Sequence, residues 1–359
     1  MPVPLFDPLA SQAPLRADIR AAVHRVLDSG HFVLGPEVEA FETEFAAYVG
    51  AGHAVGVANG TEAITVALRA LGVGPGDEVI VPSFTFWASA EAIPPTGAVP
   101  VFCDVDPATM CVTPETVRAV MTEKTKAVIV VHLFGNVAPV AEIEALGVPV
   151  LEDAAQAAGS TGPAGRPGAL GTIATFSFYP SKNLGAMGDG GAITCRDAAL
   201  AERVRTLRFH GSEDKVDYVD VGYNSRLDEL QAAILRVQLP QLDRWAAARA
   251  EAGDAYAAAL DGVVTVPQAT PGSRPAWHLY VIRHAAADAL ASSLSAVGIG
   301  CRAYYRTPVH AQPPMAPYAP RVPLPGTEEA ARTHLAIPMS AALREDQVAE
   351  VAAAIAAAV

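Results

Sequence analysis

Val150-Leu151-Glu152-Asp153-Ala154-Ala155-Gln156-Ala157 runs from an apolar strand pattern into acids. A carboxylate at that point sits at the C-terminal edge of a sheet, where open α/β sheets bind ligands. It could there hold positive charge on a heterocyclic nitrogen. The plain alternative for Asp153 is a helix N-cap. In Thr175-Phe176-Ser177-Phe178-Tyr179-Pro180-Ser181-Lys182-Asn183-Leu184-Gly185, a lysine follows a β-rich run and precedes the glycine-dense Gly188-Asp189-Gly190-Gly191. The backbone can pass close to a flat ligand there while the Lys182 amine reaches it. Lone lysines are usually solvated surface charges. Out of bulk water and near a cationic ring, however, the amine's pKa falls and it can serve as nucleophile and proton shuttle.

Two further segments could bind the same ligand. In Ala58-Asn59-Gly60-Thr61-Glu62-Ala63 a strand turns through glycine into a helix, whose free N–H groups and positive dipole end can hold a phosphate. A simple cap is the other reading. Pro82-Ser83-Phe84-Thr85-Phe86-Trp87-Ala88 places three aromatics after a strand, one of which could stack on a ring while the others enter the core.

These residues need a sheet to position them. Short β-branched runs at 53–57, 78–81, 100–104, 127–133, 149–152, 173–177 and 191–194 alternate with helical patterns such as 61–71 and 114–121. That alternation predicts a sheet containing parallel strands with helices on both faces. Around 230–260 the pattern becomes a long alanine-rich helix with a kink expected at Leu239-Pro240, bridging into a smaller C-terminal domain. An early helix at 14–27 is expected to pack back on that domain. The Pro-rich stretch 307–325 reads as ordered loop.

Composition narrows the function classes. At 359 residues, 51% apolar and 18% charged, the chain suits one large domain plus a smaller one, without long disordered arms. The formal charge of −13, with basic residues scattered, lacks the footprint of a nucleic-acid binder. No apolar run is long enough to span a bilayer and the first residues do not read as a secretory signal, so a cytoplasmic protein is expected. Cysteines at 103, 111, 195 and 301 have neither C-x-x-C spacing nor a paired framework, which suits a reducing compartment and speaks against a metal cage.

Taken together, the Gly60-Thr61-Glu62-Ala63, Phe84-Thr85-Phe86, Glu152-Asp153-Ala154-Ala155-Gln156, Ser177-Phe178-Tyr179-Pro180-Ser181-Lys182-Asn183 and Gly222-Tyr223-Asn224-Ser225-Arg226-Leu227 segments resemble the DegT/DnrJ/EryC1/StrS family of sugar aminotransferases. The resemblance continues through His278-Leu279-Tyr280 and Pro308-Val309-His310 to Leu335-Ala336-Ile337-Pro338-Met339. It implies the α/β fold of type I pyridoxal-phosphate transferases, aspartate-aminotransferase-like. A large domain with a mostly parallel central sheet would occupy 1–240 and a smaller α+β domain 241–359.

The resemblance also implies roles. Lys182 would carry pyridoxal 5′-phosphate as a Schiff base and Asp153 would pair with the pyridine nitrogen. Gln156 would contact the ring hydroxyl, Phe86 would stack on the ring, and Gly60, Thr61 and Ser177 would hold the phosphate. Asn224 would be a phosphate contact given by a second subunit, which requires a homodimer with a shared site. Tyr179 stands where histidine or phenylalanine is frequent, and Trp87 where a smaller residue is common. The implied reaction is ping-pong. L-Glutamate or glutamine leaves its amine as pyridoxamine 5′-phosphate, and a nucleotide-linked keto-sugar then accepts it, with Lys182 moving the proton in each half. The segment 224–233 resembles enzymes that aminate C-3; 4-keto-sugars and cyclitol ketones are the alternatives. Tyr179, Arg226, Tyr304, Tyr305 and His310 are candidates for holding the sugar, diphosphate or donor carboxylate.

Three rivals are weaker. A dehydratase subgroup of the family carries histidine in place of the lysine. A nicotinamide-dependent oxidoreductase needs G-x-G-x-x-G after its first strand, whereas Gly72-Val73-Gly74-Pro75-Gly76 follows a helix and contains proline. A non-catalytic regulatory homologue would not need Lys182 and Asp153 intact.

Overall fold

The computed structural model describes residues 2–359. Seven strands form the main sheet: β1 (His53–Val57), β2 (Glu78–Pro82), β3 (Val99–Cys103), β4 (Thr125–Val131), β5 (Val150–Asp153), β6 (Ile173–Ser177) and β7 (Gly191–Cys195). Their spatial order is β1-β7-β6-β5-β4-β2-β3. All neighbours pair in parallel except at β7, which is antiparallel to both β1 and β6. Since β1 and β6 both oppose β7, they point the same way as the parallel strands. Every strand but β7 therefore ends on one edge of the sheet.

The apolar runs bury both faces, as strands covered on each side require. Side chains alternate between two cores: Val55, Val57 and Ile173 enter one, while Ala54, Ala174 and Phe176 enter the other. The second core is closed by the helix Pro36–Val49, whose Phe41 and Phe45 meet Phe178 and Phe176 edge-on, with centroids 5.3 and 4.9 Å apart. The start of that helix is capped from a distance. Buried Glu229 accepts hydrogen bonds from the N–H groups of Gly35, Glu37 and Val38 at 2.8–2.9 Å, satisfying donors that a helix start leaves open.

The expected kink is a break. The helix Glu229–Gln238 ends in a 3-10 turn, Leu239–Gln241, because Pro240 has no N–H to continue the ladder, and a new helix spans Leu242–Leu260. Leu242 packs in the core beside β6, whereas Tyr256 and Leu260 lie in a separate core. That core also gathers β8 (Tyr280–Arg283) and β9 (His334–Ile337), paired antiparallel, and the helices Ala287–Ala296 and Glu345–Ala358. In 307–325 the chain forms two 3-10 segments, Val309–Ala311 and Pro313–Tyr318.

One expectation is corrected. The early helix, at Arg16–Ser29, does not pack on the C-terminal unit; its Ala22 and Val26 sit on Ala233 of the helix Glu229–Gln238. Its narrow stripe of small apolar residues fits that neighbour. The preceding segment makes the contact instead: Val3 N–H donates to the Gly298 carbonyl, Gly300 N–H to Val3, and Met339 N–H to Leu5. No helix among the described residues is long and apolar enough to cross a membrane.

Candidate active site

The shared edge of the sheet opens into a cavity of about 780 Å³. Asp153 is the last residue of β5 and Ser177 the last of β6, and both face it. Gly60 and Thr61 reach it from the turn after β1, Phe86 from the loop after β2, and Lys182 from the loop after β6.

Asp153 is buried and held on both carboxylate oxygens. Its Oδ2 accepts from Ser89 Oγ at 2.7 Å and its Oδ1 from Ala155 N–H at 3.2 Å. Thr85 Oγ1 lies 3.0 Å from Ser89 Oγ, extending the chain of hydroxyls. The adjacent acid, Glu152, points to the opposite face as strand alternation demands. There it accepts N–H donors from Gly168, Leu170 and Gly171 and pairs with His132 Nε2 at 2.8 Å. Because His132 Nδ1 accepts from Ala138 N–H, Nε2 is the donor to the carboxylate. Glu152 thus anchors the 168–171 loop and the strand that carries Asp153.

Lys182 sits in the cavity wall. Burial lowers its ammonium pKa from 10.5 to about 8, against the opposing pull of Asp153. Near neutrality such an amine is a better nucleophile and base than a surface lysine.

The helix Gly60–Ala70 presents its N-terminus to the same space. Asn59 Oδ1 accepts from Glu62 N–H and the Asn59 carbonyl from Ala63 N–H. The N–H groups of Gly60 and Thr61 have no partner among the described residues. A Cβ on Gly60 would come within 2.7 Å of Ser177 Cβ, so only glycine leaves this cradle open. Unpaired N–H groups, a dipole end and a nearby hydroxyl suit a phosphate.

The remaining walls divide into fixed and free groups. Phe86 is 52% exposed, its ring available to a flat ligand. Gln156 is committed: its Oε1 accepts from Phe134 N–H at 2.8 Å and its Nε2 donates to Tyr305 Oη at 3.3 Å. Tyr305 is itself stacked on Phe134, with centroids 5.8 Å apart, and buried. Tyr179 and Tyr304 line the mouth, where Arg302 stands over the Tyr304 ring at 5.0 Å.

Three expected site residues lie outside this cavity. His310 Nδ1 is 2.6 Å from Ser83 Oγ and braces the end of β2. Arg226 donates to Asn224 Oδ1, and Asn224 is exposed in a segment bridged to Phe209. The arginine that lines the cavity is Arg302.

Residues 14–356 match the profile of the DegT/DnrJ/EryC1/StrS aminotransferase family. The chain belongs to this family. It is thus an aminotransferase that uses pyridoxal 5′-phosphate, on an α/β fold of type I. A dTDP-3-amino-3,4,6-trideoxy-alpha-D-glucose transaminase from Streptomyces venezuelae is 44% identical over 356 residues, spanning 97% of this chain and 94% of its own. A pleiotropic regulatory protein from Geobacillus stearothermophilus is equally similar, 44% over 356 residues, spanning 97% and 96%. The crystal structure of S. venezuelae DesV in complex with a ketimine intermediate superposes with a TM-score of 0.96 at 44% identity, covering 99% of this chain and 98% of that one.

The residues present fit this family's cofactor. The depressed amine of Lys182, the doubly held carboxylate of Asp153 and the glycine-dependent cradle at Gly60 surround one cavity, as an aldehyde, a ring nitrogen and a phosphate would require.

Sequence reasoning missed Ser89, Arg302, Asp189 and His278, all of which bear on the site. His278 is buried in the wall, its pKa pushed well down by burial and by the positive charges of Lys182 and Arg249. Ser89 carried no helical signal, because Thr85 lies in the bend before the short helix Ala88–Glu91 that bears Ser89. Asp189 stands in a loop and Arg302 in a single-residue bridge to Ala336, neither within a periodic run.

Proposed function

We propose that this aminotransferase moves an amino group from L-glutamate or glutamine to the C-3 ketone of a nucleotide-linked sugar. The observation that carries the reading is the joint exposure of Lys182 and Asp153 to a cavity whose mouth is Arg302, Tyr304 and Tyr179. A cation flanked by aromatic rings suits a diphosphate next to a base and a sugar. The relative from S. venezuelae is named for a 3-amino sugar carried by dTDP, which supports both the nucleotide and the C-3 position.

Bound pyridoxal 5′-phosphate supplies the electron sink that makes the donor's α-hydrogen acidic. The chain's own residues do the rest. Asp153 Oδ2, fixed by Ser89, is the counter-charge for a protonated ring nitrogen. Burial makes the Lys182 ammonium easier to deprotonate than a surface lysine's, and its Nζ would move a proton between the substrate carbon and the cofactor's C4′ in each half-reaction. Gly60, Thr61 and Ser177 hold the phosphate, and Phe86 covers the ring. Asn224 is exposed and away from its own chain's cavity, which is what a phosphate contact lent to a second copy requires; we therefore read the active form as a homodimer.

Holoenzyme incubated with glutamate and a panel of dTDP- and UDP-linked 3-keto and 4-keto sugars and a cyclitol ketone tests the reading, followed by 2-oxoglutarate release and product mass. Amination of a 3-keto sugar is expected. Turnover of a cyclitol ketone alone would overturn the sugar assignment, and turnover of 4-keto sugars alone the position.

A further inference from the structure

A second, smaller cavity of about 30 Å³ adjoins the loop that carries Lys182, sharing Phe6, Ser181 and Lys182 with the larger one. Arg249, from the helix Leu242–Leu260, and Gln238, from the end of the preceding helix, both line it. These two side chains are 8% and 1% exposed. Arg249 Nη1 donates to the Trp277 carbonyl at 3.2 Å, its Nε has no partner, and among the described residues no carboxylate pairs with it. Neither end of the Gln238 amide has a partner. A guanidinium withdrawn from water without a counter-charge is costly, and water alone would satisfy its N–H groups but leave its charge.

We propose that this cavity binds a small monovalent anion of chloride's size, held by the Arg249 guanidinium and the Gln238 amide N–H beneath the Lys182 loop. The volume admits one or two water-sized species and excludes a phosphate. Three acceptors also border the space and must be accommodated: Asp7, Asn183 Oδ1 and the Oε1 of Gln238, which turns away from the anion when the amide N–H faces it. Asp7 is half-buried, and its Oδ1 is committed to Ala10 N–H at 2.9 Å. Asn183 Oδ1 lacks a partner while its Nδ2 donates to the Ala158 and Ala276 carbonyls, so a water beside the ion completes it. The site borders the acceptor cavity through Phe6, Ser181 and Lys182, whereas Arg249 and Gln238 line the smaller space and not the larger one.

The test is diffraction at the bromine edge from holoenzyme crystals grown in sodium bromide, paired with thermal unfolding at constant ionic strength as chloride replaces gluconate. An anomalous peak within hydrogen-bond reach of Arg249 and Gln238 is expected, together with a Tm that climbs with the logarithm of chloride concentration. Arg249→Met should abolish that dependence and Gln238→Leu should weaken it. If Arg249→Met does not fold, the two wild-type measurements still decide. Water alone in the cavity, or water bridging Arg249 to Asp7, overturns the proposal. So does a peak accompanied by a Tm indifferent to chloride, which would mark an adventitious ion only.

Discussion

Ser89 donates its hydroxyl proton to Asp153 Oδ2 across 2.7 Å, and both groups are buried at the floor of the site. A hydrogen bond to a charged group contributes about 1.5–3 kcal/mol, and part of that stabilisation is lost with the hydroxyl. Ser89→Ala should therefore lower kcat by roughly 10- to 100-fold with little change in the donor's KM, measured by 2-oxoglutarate release. Ser89→Thr, which keeps the hydroxyl, should retain most activity.

The rate at which apoenzyme captures pyridoxal 5′-phosphate should rise with pH. Lys182 titrates at about 8 in the fold instead of 10.5, so the nucleophilic free base is the minor form below that pH and the major form above it. Stopped-flow absorbance of reconstitution should show a single rise near pH 8. A rise delayed to about pH 10 would mean a solvated lysine.

Gly60→Ala should weaken cofactor binding with little loss of fold, because the new methyl meets Ser177 Cβ at 2.7 Å. Overpacking of this kind costs about 1–3 kcal/mol, or about 5- to 150-fold in the apparent Kd for pyridoxal 5′-phosphate. Adding Ser177→Gly removes the closest atom but leaves Ser177 Cα at 3.2 Å and takes away a phosphate-binding hydroxyl, so any recovery of affinity should be small.

Glu152→Gln should destabilise the fold without touching the cavity. The carboxylate accepts from three backbone N–H groups and His132, and an amide presents two donors where acceptors are needed. A loss of about 2–3 kcal/mol in urea unfolding is expected.

Arg302→Ala should raise the KM for the nucleotide-linked acceptor by about tenfold and leave the glutamate half-reaction intact, since one charge-assisted contact is removed at the mouth. Single-turnover absorbance with glutamate alone separates the two halves.

The strands were readable because runs such as 127–133 and 173–177 are apolar and β-branched, and Asp153 and Lys182 because each follows such a run. The antiparallel insertion of β7 between β1 and β6 was not, since Gly191-Ala192-Ile193-Thr194 has the same character as its parallel neighbours. His310, grouped with the site by a motif, turned out to brace β2 through Ser83, a use that a sequence pattern cannot distinguish from ligand binding. Arg226 lies in a recognisable motif, whereas Arg302 joins β9 through a single bridge to Ala336 and stands in no pattern that marks a ligand. Glu152 was overshadowed by the acid beside it, although a carboxylate inside an apolar strand already demands buried donors.

Phe6 lies in the wall of the large cavity, stacked 6.1 Å from His278, and the residues just before it are hydrogen-bonded to Gly298, Gly300 and Met339. A substitution that breaks this anchor, such as Val3→Asp, would therefore disturb the chamber in which the chemistry takes place.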